Sequence, residues 1–297
     1  MEDKKEPNIY KWAKSFTIKD YDYNRDFKST IDRELANINY YSPSLINPYI
    51  KCPRMFFFDR ILKLSSPKTS IPDSLNFGSA IHKACENAVA FARKEHKFWD
   101  SDVFVEEVKK QIDKYPFSTF TQQEQYKTIA ESSIKDFYEN DLSQIDINTI
   151  YNVENDIITD FEGVMFKGLP DRINLVDGKF RIYDYKTGRA KGEKEICLTS
   201  PDDDSLGGHE DYYIQMGLYK YFLEKTEGKK VEKTTFVFPQ EYKKPTVIEY
   251  TEEDIAKILE KYRNAIKGIK SQNFEPTPSK IACSYCPYKN DLCTCNQ

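Results

Sequence analysis

The 297-residue chain carries 44 Lys and Arg against 48 Asp and Glu, a formal net charge of −4. That balance excludes indiscriminate electrostatic binding of nucleic acid over the whole surface but leaves room for a local basic groove. No apolar run approaches the length of a membrane span, and the charged start MEDKKEPNIYKW lacks the apolar segment of a secretory signal, so a cytoplasmic protein with no membrane partner is expected. In that reducing compartment the seven cysteines are read for metal binding before disulfides.

Residues 1–41 are polar with scattered aromatics and no sustained period, as in an extended arm or a loosely attached helix. Ser42-Pro43-Ser44 has the composition of a helix start, and the dense apolar stretch that follows is broken by two prolines into two short predicted helices. After Gly78-Ser79, the positions Ile81, Cys85, Ala88, Val89 and Ala92 mark one helical face, with His82 and Glu86 beside it. Residues 101–114 and 121–139 predict amphipathic helices separated at Tyr115-Pro116, so the region 42–145 is read as helical.

Near residue 147 the period changes to short alternating runs of β-branched and aromatic residues, which predict strands. Asp177-Gly178 between two of them is a two-residue hairpin signal, pairing the strand of Asp171 with that of Asp184. Residues 189–210 lack periodicity and predict a mobile surface loop. The helix that follows places Ile214, Leu218, Tyr221 and Phe222 on a buried stripe and Gln215 and Tyr219 on another face. Two strands and a helix from near Glu252 complete a core assigned to 146–275, and a cysteine-rich tail follows at 276–297. The fold class is mixed α/β: a sheet flanked by helices, with a helical N-terminal half.

Two strand-borne carboxylates brought together by a hairpin supply oxygen ligands that suit Mg²⁺ or Mn²⁺, as metal-assisted phosphodiester hydrolysis requires. Asp171 and Asp184 meet this description. Lys186 leaves the strand on the same side as Asp184, where its ammonium can orient an attacking water and stabilise developing negative charge. Tyr185 points the other way, with its backbone carbonyl still available to the metal.

Pro170-Asp171, twelve residues, then Asp184-Tyr185-Lys186 resembles the PD-(D/E)XK nuclease motif in literal form. The patches GSAIH (78–82), GLPDRIN (168–174), YDYKTG (183–188) and QMGLY (215–219) are similar, in the same order, to recombination nucleases of the RecB and AddB type and to the CRISPR adaptation exonuclease. The resemblance implies a restriction-endonuclease-like core. It makes His82 a further metal ligand, Asp171 and Asp184 the main ligands, Lys186 the catalytic lysine, and Gln215 and Tyr219 auxiliary residues at the substrate. Where those relatives carry a second acid after the Asp-Arg pair, this chain has Asn174.

The tail gives Cys283-x2-Cys286-x6-Cys293, with Cys295 a competitor for the last position. Such close thiolates in a polar tail suit Zn²⁺ or an iron–sulfur cluster, and Cys52 is the candidate for a fourth ligand. YIKCPRMFF around Cys52 resembles a stretch of the same relatives, which implies a [4Fe–4S] cluster joining one upstream and three C-terminal cysteines. Cys85 and Cys197 are read as bystanders.

These patterns together predict a DNA exonuclease acting on single strands or duplex ends in recombination or repair. Arg54, Arg189, Lys191 and Lys194 are expected to contact phosphate. The competing readings are a structure-specific, resolvase-like endonuclease and a catalytically silent DNA-binding module. The sequence contains no G-x-x-x-x-G-K-[ST] motif, so unwinding is expected to require a helicase or recombination partner.

Overall fold

The computed structural model describes residues 27–64, 72–154, 156–197, 209–284, 286–289 and 292–293. Most of the expected arm, the Asp202–Asp204 part of the expected loop, and Cys295 lie outside them. Two compact units emerge: Met1–Lys68 with Phe161–Met165 and Leu259–Gln297, and Thr69–Asp160 with Phe166–Ile258. Cys52 and His82, near neighbours in one helical stretch of sequence, fall in different units.

The first unit contains α1 (Lys28–Ala36), α2 (Pro43–Lys51) and α3 (Pro53–Phe56), the last continuing as a π-turn over Phe57–Ile61. As the sequence predicts, Ser42 caps α2, its hydroxyl accepting from the Leu45 amide, with Pro43 in the first turn where no donor is lost. Phe56 and Phe57 are fully buried and pack against Phe274 at ring-centroid distances of 6.1 and 5.2 Å.

In the second unit, α4 (Asp73–Glu95) and α5 (Ser101–Ile112) are followed by a long helical run. That run comprises α6 (Phe120–Ile129), a π-turn at Ala130–Ile134 and α7 (Lys135–Asn140). The predicted break at Tyr115-Pro116 is present, and Thr119 caps α6 by accepting from the Gln122 amide at 3.1 Å. Buried Ile81, Cys85, Ala88 and Val89 of α4 join Phe104, Val108 and Phe137 in one core.

Strands β1 (Ile150–Val153), β4 (Arg172–Val176), β5 (Lys179–Tyr185), β6 (Val231–Val237) and β7 (Thr246–Ile248) form one sheet in the order β1-β4-β5-β6-β7. β2 (Ile157–Phe161) and β3 (Val164–Gly168) pair only with each other. The β4–β5 hairpin has the expected register, Arg172 opposite Tyr183, and turns at Asp177 and Gly178 with φ of 49° and 76°. Two successive positive φ values identify the mirror-image turn that matches strand twist. β5 pairs parallel to β6, so the sheet is mixed.

Alternation along β5 sorts its side chains by layer. Tyr185 and Val237 join the core under α4–α7. Phe236, cross-strand partner of Asp184, meets Tyr212 of α8 (Glu210–Glu227), with ring centroids 5.6 Å apart. The predicted stripe on α8 is too narrow: Tyr213, Met216, Tyr219 and Leu223 are buried together with Ile214, Leu218 and Phe222, while Tyr221 is only partly buried. A helix enclosed on most sides loses the polar face that periodicity relies on.

The described part of the expected mobile loop is anchored. Residues Glu193–Glu195 form a 3-10 turn and Ile196 is fully buried. A final long helix, α9 (Glu252–Lys270), runs through the unit boundary, and α10 (Lys280–Ser284) enters the tail. Among the described residues no helix is long and apolar enough to cross a membrane.

Candidate metal and catalytic centre

Asp171 immediately precedes β4, and Asp184 and Lys186 flank the end of β5. The hairpin therefore brings two carboxylates thirteen residues apart in sequence to one end of the sheet, as the Asp177-Gly178 turn predicts. Asp171 is fixed twice: its Oδ2 accepts from the Tyr185 amide at 2.5 Å, and its Oδ1 lies 3.1 Å from His82 Nδ1. Lys186 Nζ is 2.7 Å from Asp184 Oδ2, and its backbone amide donates to the Val237 carbonyl at 2.8 Å, extending the β5–β6 ladder. The Tyr185 ring packs into the helical-layer core, as alternation requires.

His82 arrives from α4, and two glycines explain how closely that helix and the Asp171 segment can approach their neighbours. A Cβ on Gly78 would stand 3.0 Å from Thr187 Oγ1, just beyond Lys186. A Cβ on Gly168 would stand 3.0 Å from the Tyr219 ring. Both glycines belong to the patches that carry the family resemblance, and here their function is steric: absence of a side chain sets the spacing of the centre.

His82, Glu154 and Asp171 each offer a ligand atom, all within 4.8 Å of one another. The sequence reading missed Glu154. It follows β1, its amide donates to the Asp171 carbonyl at 3.2 Å, and its φ is +47°. A glutamate in the left-handed region is uncommon and costs on the order of 1 kcal/mol or more, which the surrounding pairing must offset. The available signal was an acid closing the run IYNV, but only the β1–β4 pairing reveals that it faces Asp171.

Charges at this end of the sheet are strongly interdependent. Burial opposes a proton on His82, yet the Asp171 carboxylate prevails and the imidazole is raised to about 9. Burial, then the nearby Asp171 charge, raises Glu154 to about 8. Burial likewise raises Asp184, to about 6, although Lys186 pulls it down. Burial pushes Asp171 up too, but His82, then Lys186 and the Tyr185 amide, hold it below the ordinary carboxylate range. Carboxylates this close cannot all ionise without positive charge between them, and a divalent cation is the natural source.

The remaining expected residues divide. Gln215 Nε2 donates to Tyr219 Oη at 2.7 Å, and Tyr219 Oη donates to the Leu169 carbonyl at 3.1 Å. Tyr219 is buried, and its hydroxyl holds the backbone leading to Asp171. Arg54 requires correction: it is 3% exposed, its Nε donates to the Phe274 carbonyl at 2.9 Å, and a buried guanidinium so engaged is not available to phosphate. Arg189 is forked onto Glu195 at 2.6 and 3.2 Å, and Lys191 lies over the Phe238 ring at 5.6 Å.

In the first unit, Cys52, Cys283, Cys286 and Cys293 line one small cavity whose other walls include Met55, Phe58, Pro276 and Pro278. None of the six described cysteines forms a disulfide. Burial raises the Cys286 thiol, followed by the proximity of Cys293, Cys52 and Cys283. Tyr288 holds the tail in place by donating to the Leu64 carbonyl at 2.7 Å and to Asp59. Cys85 is buried in the core, and the Cys197 thiol donates to the Lys194 carbonyl at 3.1 Å.

Comparison with known proteins bears on the family and the fold. The chain is 27% identical over 135 residues to the Gene 69 protein of Mycobacterium phage D29, which is 43% of this chain and 42% of that protein. It is also 27% identical over 132 residues to the Gene 69 protein of Mycobacterium phage L5, 43% of this chain and 39% of that protein. The chain thus spans about two-fifths of the length of these relatives. The fold resembles the crystal structure of a "Putative exonuclease" from Eubacterium rectale, with a TM-score of 0.53, 14% identity, and coverage of 92% of this chain and 95% of that one. The profile of the PD-(D/E)XK nuclease superfamily matches residues 40–294, which takes in the whole centre and the three C-terminal cysteines of the cavity, and the chain is a member of that superfamily.

Proposed function

We propose that the protein is a Mg²⁺- or Mn²⁺-dependent deoxyribonuclease that removes nucleotides from single-stranded or end-containing DNA during recombination or repair in the cytoplasm. The observation that carries this reading is the gathering of His82, Glu154 and Asp171 within 4.8 Å beside the Asp184–Lys186 pair. Asp184, which lies outside that group of three and pairs with Lys186, and the Tyr185 carbonyl would complete the donor set. When bound, a divalent cation supplies Lewis-acid stabilisation of the phosphoryl oxygens and lowers the pKa of an adjacent water.

The protein's own groups do the rest. Lys186, kept protonated by Asp184 and Asp171 against the cost of burial, orients the attacking water and stabilises the charge that develops on the phosphoryl group. The Tyr185 amide and His82 fix the Asp171 carboxylate, so the centre is organised before substrate arrives. Gln215 and Tyr219 position the backbone from which Asp171 projects.

Cys52, Cys283, Cys286 and Cys293 are proposed to hold a [4Fe–4S] cluster with a structural role. Four thiolates on one Zn²⁺ would stand about 3.8 Å apart at Zn–S distances of about 2.3 Å. Zn²⁺ is the alternative at these four cysteines, and iron with acid-labile sulfide in the purified protein distinguishes the cluster from it. A helicase or recombination partner would supply unwinding.

Exonuclease action is tested by incubating the protein and Mn²⁺ with linear single-stranded DNA and with its covalently closed circle. Degradation of the linear form alone is expected. Equal attack on the circle would replace the exonuclease reading by an endonuclease one, and attack on neither form would favour a silent binding module.

A further inference from the structure

We infer that the groove beside the metal group takes unpaired nucleobases against an apolar rim formed by Leu75, Tyr115, Leu169 and Tyr212, which makes the enzyme selective for unpaired strand. This inference rests on the nuclease reading and adds the structural basis of substrate choice. The four residues line the same cavity, of about 590 Å³, as His82, Glu154, Asp171 and Lys186. A volume of that size suits one or two nucleotide groups, in the range of small-ligand sites.

Exposure and electrostatics both point to bases. Leu75 is 61% exposed and Leu169 is 39% exposed. A single exposed leucine needs no explanation, but these two come from different elements, the first turn of α4 and the β3–β4 connection, and border one cavity. Leu169 is moreover held by its carbonyl to Tyr219, so its side chain is presented by a fixed backbone.

The cations of the groove are already engaged. Lys83 Nζ lies 2.7 and 2.6 Å from the two Glu86 carboxylate oxygens, and Lys186 Nζ lies 2.7 Å from Asp184. With both lysines of the described groove paired, and Lys186 and the bound cation serving the scissile phosphate, the flanking phosphates gain little from counterion release here. Base contact on the exposed Leu75 and Leu169 side chains supplies what phosphate contact does not. In a duplex those base faces are stacked on their neighbours and cannot reach the rim.

The experiment uses the full-length protein with Mn²⁺ and synthetic DNA. Cleavage rates are compared for an intact single strand, the same strand with abasic residues moved along its length, and the blunt duplex. Abasic residues next to the scissile phosphate are expected to slow cleavage about tenfold, with the duplex cut more slowly than the intact strand. In the Leu75→Ser, Leu169→Ser double variant the intact-to-abasic ratio should fall toward one. Phe120→Ser, at a position 75% exposed but outside the groove, should keep the wild-type ratio.

A wild-type ratio near one, equal rates on duplex and single strand, or a ratio unchanged in the double variant would overturn base contact while leaving the nuclease reading intact. No cleavage of any DNA by the wild-type protein with Mn²⁺ or Mg²⁺ would overturn the nuclease reading, and this inference with it.

Discussion

His82 and Glu154 show how the centre's individual groups couple metal binding to protons. His82 must lose its proton to become a ligand, and its pKa is raised to about 9; Glu154, raised to about 8, must lose one as well. Both groups have folded-state values above their ordinary 6.5 and 4.5, so the stability they confer is present at low pH and is lost as pH rises through about 8 and 9. With a chelator present, the melting temperature should therefore fall between pH 6.5 and pH 9. The stabilisation produced by Mn²⁺ should grow over the same window, because fewer protons have to be displaced. Scanning calorimetry checks this, and an increment that shrinks with rising pH would contradict the ligand assignment. At this scale the placement of Asp171, Asp184 and Lys186 at one end of the sheet was legible in the sequence because it is local to one hairpin. It concealed Glu154, whose partner is supplied by a pairing between β1 and β4 that no short pattern encodes.

Secondary-structure elements were legible where period or turn chemistry was strong. Asp177-Gly178 specified both a turn and a register, and the register places Asp171 near Asp184. Helix α8 was read less well, since burial on most of its surface removed the polar stripe, and Tyr219 looked like a surface residue although it lies under the Asp171 segment. Its hydroxyl supplies a test. Tyr219→Phe keeps the ring against Gly168 but deletes the hydrogen bond to the Leu169 carbonyl, so stability should drop by about 1 kcal/mol. Turnover should fall by roughly tenfold with little change in KM, as expected when the geometry of the centre loosens while substrate binding persists. An unchanged turnover would assign Tyr219 to packing alone.

Across the whole molecule, the chain order gave a helical half, a sheet-bearing core and a cysteine-rich tail, but contacts divide it differently because the described helices before Lys68 and the described segments after Leu259 fall in one unit. The reason is chemical: Cys52 and three C-terminal cysteines line one cavity, and Tyr288 ties the tail to Leu64. Sequence spacing revealed the cysteine group, whereas the removal of Arg54 from the expected phosphate contacts required knowledge of its burial beside that cavity. Purified protein should contain iron and acid-labile sulfide. Cys52→Ser should lose both and melt at lower temperature; retention of iron and an unaltered melting temperature would contradict a structural cluster at these cysteines. The central claim concerns the other unit, and its most direct test is the rate of release of nucleotides from a linear single strand in Mn²⁺ by the wild type, Asp184→Asn and Lys186→Met. The account predicts metal-dependent release by the wild type and a loss of at least about a hundredfold in each variant with the fold retained, and equal rates in all three proteins would contradict it.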